Sequence, residues 1–427
     1  MSIEKTSTQN KQSNSFLPIT IIGGLFFIFG FVTWLNGTLI PFLKIACELN
    51  NVQVYFVTFA FYIAYFFMAP PSTYVLHKVG FKNGMALGLL IMAVGSLVFI
   101  PAAILRTFPL FLAGLFIQGT GLALLQTASN PYVIVIGPRE SAARRVSIMG
   151  VCNKVAGAIS PIILGAIVLN QDTTNIMKRL ESLAGIERTA LLDTLAHKVI
   201  VPYLIMALAL ILLALALKFV HLPDVDTDKE SSSEDKSHGN KHAWWQFPHL
   251  WIGFFALFFY VGAEVIAGDT IILYGLSMKI PLEEARTFTT LTLISMVMGY
   301  GIGIRAIPRY ISQEKALAVA AVLGLIFTLG AIMTSGYGSI ACIGLLGLAN
   351  AVMWPAIFPL AIADLGKFTK AGSALLIMGI AGGALLPLLY GKISSMIGNQ
   401  DAYLMLLPIY LFIFYFALKG NKIRTKI

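Results

Sequence analysis

Charged residues are scarce in this 427-residue chain: Asp, Glu, Lys and Arg make up 12% of it, whereas 57% of the residues are hydrophobic. Soluble globular domains carry roughly 25% charged residues. The shortage therefore excludes a soluble enzyme of two or three domains. Together with a mean hydropathy of +0.82, it indicates a polytopic membrane protein.

Cysteine is also scarce, and the three present, Cys47, Cys152 and Cys342, are too far apart for a disulfide framework or a metal-binding spacing. We find no metal site, no cofactor motif and no nucleophile–base cluster, so a membrane enzyme is disfavoured. The polar N-terminus lacks a small-residue cleavage site, which argues against a removable signal peptide.

Long apolar runs are abundant. A bilayer-spanning helix needs about 20 mainly apolar residues, and twelve windows qualify. They are residues 18–43, 54–77, 82–104, 107–136, 145–169, 199–219, 248–277, 286–310, 315–334, 338–364, 370–397 and 401–419. The predicted fold is an all-α membrane protein of twelve transmembrane helices.

Basic residues predict the orientation. They collect at both termini and after the second, fourth, sixth, eighth and tenth helices. The opposite short loops hold only Lys44, Arg106, Lys279 and Arg286. The positive-inside bias then places both termini in the cytoplasm, in a cell inner membrane. It also explains the net charge of +10 without nucleic acid.

Two connections are long. Residues 171–198 alternate charged and apolar side chains, which predicts an amphipathic helix outside the membrane. Residues 222–247 are polar, acidic and Ser-rich, as in a flexible linker. We interpret the nearby histidines as part of this tether rather than a metal site; they are His221, His238, His242 and His249. The predicted units are an N-terminus (1–17), two six-helix halves (18–221 and 248–419) and a tail (420–427).

The two halves resemble each other. LFFIFGFVTWLNGTLI (residues 25–40) aligns without gaps on LFFYVGAEVIAGDTII (residues 257–272). This register pairs Gly37 with Asp269 and Thr38 with Thr270. A repeat of two six-helix units is typical of transporters whose substrate site lies between the halves near the midplane.

Several motifs carry a family resemblance: LNGTLIP (35–41), GLALLQTASNPYV (121–133), YVGAEV (260–265), MWPAIFPLAI (353–362) and GGALLPLLYG (382–391). They resemble the fucose permease family of the major facilitator superfamily, especially its glucose/galactose transporter branch. The loop VLHKVGFKNG (75–84) is similar to a weakened form of the superfamily's motif between helices two and three. The resemblance covers essentially the whole chain. It implies a twelve-helix protein that imports a monosaccharide, usually with a cation.

The chain departs from this family at two positions. Proton-coupled fucose permeases carry an acid in the first helix and another in the fourth, where this sequence has Gly37 and Gln126. The family's coupling residues therefore cannot be carried over. The resemblance does imply sugar-contacting amides, which are Asn36, Gln126, Asn130 and Asn153.

Three ionisable residues lie well inside predicted spans: Lys154, Glu264 and Asp269. A charge at the bilayer centre costs about 2.5–3.5 kcal/mol on insertion scales, so each marks a candidate functional site with a partner. We expect Lys154 to pair with a carboxylate across the cavity. An unwound turn at Gly268 would bring both acids towards that cavity.

One hypothesis is that Asp269 replaces the missing first-helix acid as the cation-responsive group, with Lys154 tuning its protonation. Glu264 is the rival carrier. A static structural salt bridge is the alternative to both.

Sugar hydroxyls need groups that both donate and accept hydrogen bonds, backed by a flat apolar surface. Asn350, Trp354 and Glu264 join the four amides as candidate ligands. Trp34 is a second candidate for the flat apolar face, with packing alone as the alternative interpretation. For any single Asn, a helix–helix hydrogen bond is the competing interpretation.

The sequence thus predicts a secondary active transporter that imports a hexose or related sugar by alternating access, co-transporting H⁺ or Na⁺ and functioning as a monomer in the lipid bilayer. An uncoupled facilitator and a non-transporting sugar sensor are the alternatives.

Overall fold

The structure is a computed structural model that describes residues 3–135, 142–169, 175–176, 179–180, 183–219, 244–307, 309–365 and 368–423. Within these ranges, twelve helical stretches are long and apolar enough to cross a membrane, which confirms the predicted number. They are α1 (Ile19–Ala46), α2 (Gln53–Leu76), α3 (Lys78–Ile104), α4 (Phe108–Asn130), α5 (Arg145–Val168), α6 (Ile200–Phe219), α7 (Pro248–Asp269), α8 (Leu282–Ala306), α9 (Gln313–Met333), α10 (Gly336–Ile362), α11 (Ala371–Ile397) and α12 (Asp401–Lys422).

The bundle has two ends and two halves. We call the end where α6 finishes at Phe219 and α7 begins at Pro248 the linker side, and the opposite end the far side. Helices α1–α6 form the N-terminal half and α7–α12 the C-terminal half. Large apolar side chains stay exposed on the outer faces, for example Leu208 at 57% and Ile302 at 60%. Such a surface suits lipid rather than water.

Several of the spans are interrupted, among them α1, α7, α10 and α11. α1 breaks at Leu35, between helices that end at Trp34 and begin at Asn36. α7 ends at Asp269, and a short helix, Ile271–Ser277, continues beyond Thr270. α10 breaks between Asn350 and Met353, and α11 contains a 3₁₀ turn, Gly379–Ala381. Broken helices near the midplane are typical of substrate sites in transporters.

The interruptions of α1 and α7 agree with the internal repeat. In the predicted register Leu35 pairs with Ala267, which lies one turn before the break at Thr270. Gly30 and Gly262, also paired, both allow a close approach. A Cβ at Gly30 would lie 1.7 Å from the backbone oxygen of Asn153 on α5, and one at Gly262 would lie 2.1 Å from Leu386 on α11. α1 therefore packs on α5 as α7 packs on α11.

The helix Gly185–His197 lies on the far side of the N-terminal half, within the segment predicted to be amphipathic. It buries Leu192, Leu195 and Ala196. Arg188 pairs with Glu48 at 2.7 Å, and Asp193 pairs with Arg106 at 3.1 Å.

The predicted linker lies mostly outside the described residues, together with His221, His238 and His242. Its described part contains a 3₁₀ turn, Trp244–Gln246. His249 is buried at the start of α7, where its Nε2 lies 2.8 Å from the backbone oxygen of Ala363.

Candidate functional site

A cavity of about 140 Å³ lies between the two halves. It is lined by α1, α2, α4 and α5 on one side and by α7, α8, α10 and α11 on the other. It reaches the linker-side ends of α4 and α5 at Asn130 and Val146. The broken helices α1, α7, α10 and α11 all contribute to its wall, which agrees with the midplane location that the repeat predicts.

An ion pair spans this cavity. Lys154 on α5 forms a salt bridge with Glu264 on α7, so the bond joins the two halves. Both residues are buried, at 8% and 7% exposed. The predicted pairing of Lys154 with a carboxylate is confirmed, and the partner is Glu264.

Trp34 completes this charged cluster. The ammonium of Lys154 lies 4.5 Å from the centroid of the Trp34 ring, within the range of a cation–π interaction. Across the interface the same ring rests on Gly268, where a Cβ would come within 2.3 Å of Cζ3. Trp34 therefore supports the ion pair and also fills the junction between the halves.

Three of the predicted amide ligands line the cavity: Gln126, Asn130 and Asn153. Gln126 donates from Nε2 to the hydroxyl of Tyr65 at 3.1 Å. Trp354 also lines the cavity, and its ring stacks on Phe358 at a centroid distance of 5.7 Å.

Two other predicted sugar ligands do not lie in the cavity. Asn350 is fully buried, and its Oδ1 accepts a hydrogen bond from Tyr410 at 3.0 Å, which is the helix–helix role. Asn36 is 1% exposed on the far-side part of α1, outside the cavity wall. The structure therefore does not bring Asn36 and Asn350 together with Gln126, Asn130 and Asn153, and the expectation that they contact the sugar finds no support in the cavity wall.

The sequence interpretation missed four tyrosines that line the cavity, Tyr62, Tyr65, Tyr260 and Tyr300. They supply aromatic faces and hydroxyl groups beside the amides. A usable signal was present in α2, because Tyr62 and Tyr65 are three residues apart and so share one helix face.

Asp269 lies apart from the cavity. It is fully buried, and its Oδ2 accepts a hydrogen bond from Thr58 of the other half at 3.2 Å. The expected unwound turn at Gly268 is wrong: α7 stays helical through Asp269 and is interrupted at Thr270. Glu264 and Asp269 therefore keep the separation of about 140° that five residues give on a regular helix, and they face different environments.

The halves also meet at a set of far-side contacts, which we call the far-side seal. Its members are Thr58 with Asp269, Trp34 with Gly268, Thr290 with the backbone oxygen of Ala158 (2.9 Å), Arg286 with that of Leu169 (2.9 Å), and the rings of Tyr55 and Tyr390 (5.8 Å). Arg286 donates to carbonyls at the C-terminal end of α5, where a positive charge is favourable. The cavity thus extends towards the linker side and is closed on the far side.

Within the described residues, no group of three or more His, Cys, Asp and Glu side chains is arranged to hold a metal ion. The chemistry of the cavity is that of amides, tyrosines, two tryptophans and one ion pair. Such groups bind and orient a polar solute.

Comparison with known proteins is consistent with this architecture. The model of the Major Facilitator Superfamily matches residues 22–387. The glucose/galactose transporter of Brucella abortus is 33% identical over 97% of this chain and 96% of its own length. The L-fucose-proton symporter of Escherichia coli is 30% identical over 91% of this chain and 89% of its own length. The crystal structure of the E. coli fucose:proton symporter superposes with a TM-score of 0.72 at 27% identity, covering 97% of this chain and all of that one.

Proposed function

Because this chain belongs to the Major Facilitator Superfamily, we propose that it is a secondary active transporter that imports a monosaccharide of the glucose and galactose type by alternating access. The observation that carries this proposal is the cavity between the halves, lined by amides and aromatic rings and closed on one side. The names of its relatives, which are transporters and not enzymes, support the same class.

Sugar recognition rests on the amide wall and the aromatic surfaces. Gln126, Asn130 and Asn153 each offer a donor and an acceptor, as a ring of hydroxyl groups requires. Trp354 supplies a flat apolar face. Glu264 is within the same wall, so a sugar hydroxyl can donate to its carboxylate.

Transport is coupled to a cation in this proposal, and the relative named a fucose-proton symporter favours a proton. Glu264 is the preferred carrier over Asp269, because Glu264 lines the cavity and pairs with Lys154 across the halves. Protonation of Glu264 would break the ion pair that joins the halves there. Sugar and proton would then act on the same contact, which links their movements.

The membrane setting follows from the sequence. The basic loops support an inner-membrane protein with both termini in the cytoplasm, so the linker side is cytoplasmic and the far side external. Each half contributes to one complete cavity, which supports function as a monomer.

The test is reconstitution into proteoliposomes. Thermal-shift binding with glucose, galactose, fucose, mannose and N-acetylglucosamine first identifies the substrate. Uptake of that sugar is then measured at two pH values, with and without Na⁺. Accumulation above the external concentration, abolished when the proton gradient is collapsed, supports the proposal.

Entry that stops at equal concentrations identifies a facilitator, and binding without entry identifies a sensor. Accumulation that follows the Na⁺ gradient instead assigns the coupling to Na⁺. Each of these results contradicts proton symport.

A further inference from the structure

Asp269 is a buried carboxylate that the sugar cavity does not use. One oxygen, Oδ2, accepts from Thr58, and the other, Oδ1, has no hydrogen-bond partner among the described residues. No Lys, Arg or His in the described part of the chain forms a salt bridge with Asp269. The buried Lys154 pairs with Glu264 instead. Buried polar atoms without partners are rare in native structures and call for a physical explanation.

The titratable groups around Asp269 do not neutralise an anion. Asp269 interacts electrostatically with Tyr55 and Tyr62 of α2 and with Glu264 of its own helix. Tyr403 of α12 bonds to the adjacent Thr270. None of these is a cation, and an ionised carboxylate buried without a cation is among the costliest groups that a protein can hold.

The position of Asp269 determines which solution reaches it. It belongs to the far-side seal and contacts Thr58 of the opposite half. It does not line the cavity that extends to the linker side. Water from the linker side therefore has no described path to this carboxylate, whereas parting of the seal exposes it to the far side.

We infer that Asp269 is a proton-binding site, separate from the sugar cavity, that is loaded from the far side and must hold its proton for the far-side seal to close. A Na⁺ ion fits the site poorly, because hard cations require several oxygen ligands and the carboxylate has a single hydroxyl oxygen bonded to it. This inference deepens the proposed function, on which it rests. It assigns the setting of the conformational equilibrium to Asp269 and leaves net proton transfer to Glu264.

The experiment measures opening of the seal directly. Thr38 is fully buried on the far-side part of α1, makes no hydrogen bond through its side chain in the described structure, and lies outside the cavity wall. The reporter is Thr38→Cys in a background of Cys47→Ser, Cys152→Ala and Cys342→Ala. Labelling by a membrane-impermeant thiol reagent in proteoliposomes then follows exposure of the seal.

The labelling rate is measured from about pH 5.5 to about pH 8.5, with and without Asp269→Asn. Dividing the labelling rate of the protein that retains Asp269 by the rate of its Asp269→Asn variant removes the pH dependence of the thiol itself. One linked proton changes an equilibrium by at most tenfold per pH unit, and we expect the ratio to rise at least tenfold across this range. Glu48→Gln, at an exposed far-side acid paired with Arg188, is the matched control and should keep the rise.

Thr58→Val provides a second variant that keeps the carboxylate. It should move the pH midpoint of labelling upward, because the hydroxyl group of Thr58 stabilises the ionised form. A ratio that stays flat with pH overturns the inference. A ratio that responds to NaCl at constant pH also overturns it, in favour of a metal cation.

Uptake by the same variants separates this inference from the proposed function. Asp269→Asn should still accumulate sugar under an imposed proton gradient. Loss of accumulation with intact sugar exchange would make Asp269 the carrier and overturn the separation of roles. If the parent protein moves no sugar, the proposed function fails, whereas the labelling result stands independently.

Discussion

The ion pair between Lys154 and Glu264 allows a quantitative prediction. Their side chains are only 10% and 9% exposed, so solvent screens the pair weakly. Removing one partner of a buried pair leaves an unpaired charge and costs about 3–5 kcal/mol. Lys154→Met also loses the contact with Trp34, and a desolvated cation–π interaction contributes about 2 kcal/mol. Both single variants should therefore unfold far more readily than the parent.

The double variant Lys154→Met/Glu264→Gln should be no less stable than either single variant, because no unpaired charge remains. The coupling energy in the double-mutant cycle should therefore be at least as large as the loss in one single variant, about 3 kcal/mol. The free energy of unfolding is measured by SDS titration in lipid–detergent bicelles. A coupling energy below about 0.5 kcal/mol, within ordinary additivity, would refute the conclusion that the two residues act as a pair.

Three further predictions concern the cavity wall and the seal. Asn153→Ala should raise the KM for sugar about tenfold, because it removes a hydrogen bond worth about 1.5 kcal/mol. Asn36→Ala, outside the cavity, is the control and should leave KM within about twofold. Equal effects of the two variants on KM would contradict the assignment of Asn153 to the cavity wall. Gly268→Ala places a Cβ 2.3 Å from the Trp34 ring and should slow sugar exchange. Gly301→Ala is the control, because a Cβ at Gly301 has no other atom within 4 Å, and it should leave the exchange rate unchanged. Unchanged exchange in both variants would show that the far-side seal tolerates the clash. Arg286→Gln shortens the side chain that donates to the backbone carbonyls of α5, so it should increase the rate of far-side labelling of the Thr38→Cys reporter. An unchanged labelling rate would show that Arg286 does not contribute to the far-side seal.

The number and length of the membrane helices could be predicted because hydrocarbon thickness sets a minimum apolar length. The need of Lys154 for a carboxylate was predictable for a similar reason, since a membrane-embedded charge requires a partner. Neither conclusion depends on how the helices pack.

The choice between Glu264 and Asp269 could not be made from sequence, because it depends on where α7 is interrupted. Gly268 suggested a break before Asp269, but the interruption follows at Thr270. There the hydroxyl of Thr270 bonds to the backbone oxygen of Ile266 and to Tyr403 of α12. The contact with α12 is a tertiary one that no local pattern reveals.

Helix faces were equally hidden. A helix that is hydrophobic all round carries no amphipathic signal, so the sequence could not show which polar side chains line the cavity and which, such as Asn36 and Asn350, lie outside its wall. The same limitation left Tyr260 and Tyr300 unnoticed, since most aromatic residues in such helices pack against neighbours.

The central claim, sugar–proton symport through the cavity between the halves, is tested most directly by the pH of a weakly buffered suspension of proteoliposomes. Addition of the transported sugar in the absence of any imposed gradient should make the external medium more alkaline, because each sugar that enters takes a proton with it. Sugar entry with no change in external pH, in the presence or absence of Na⁺, would contradict the account.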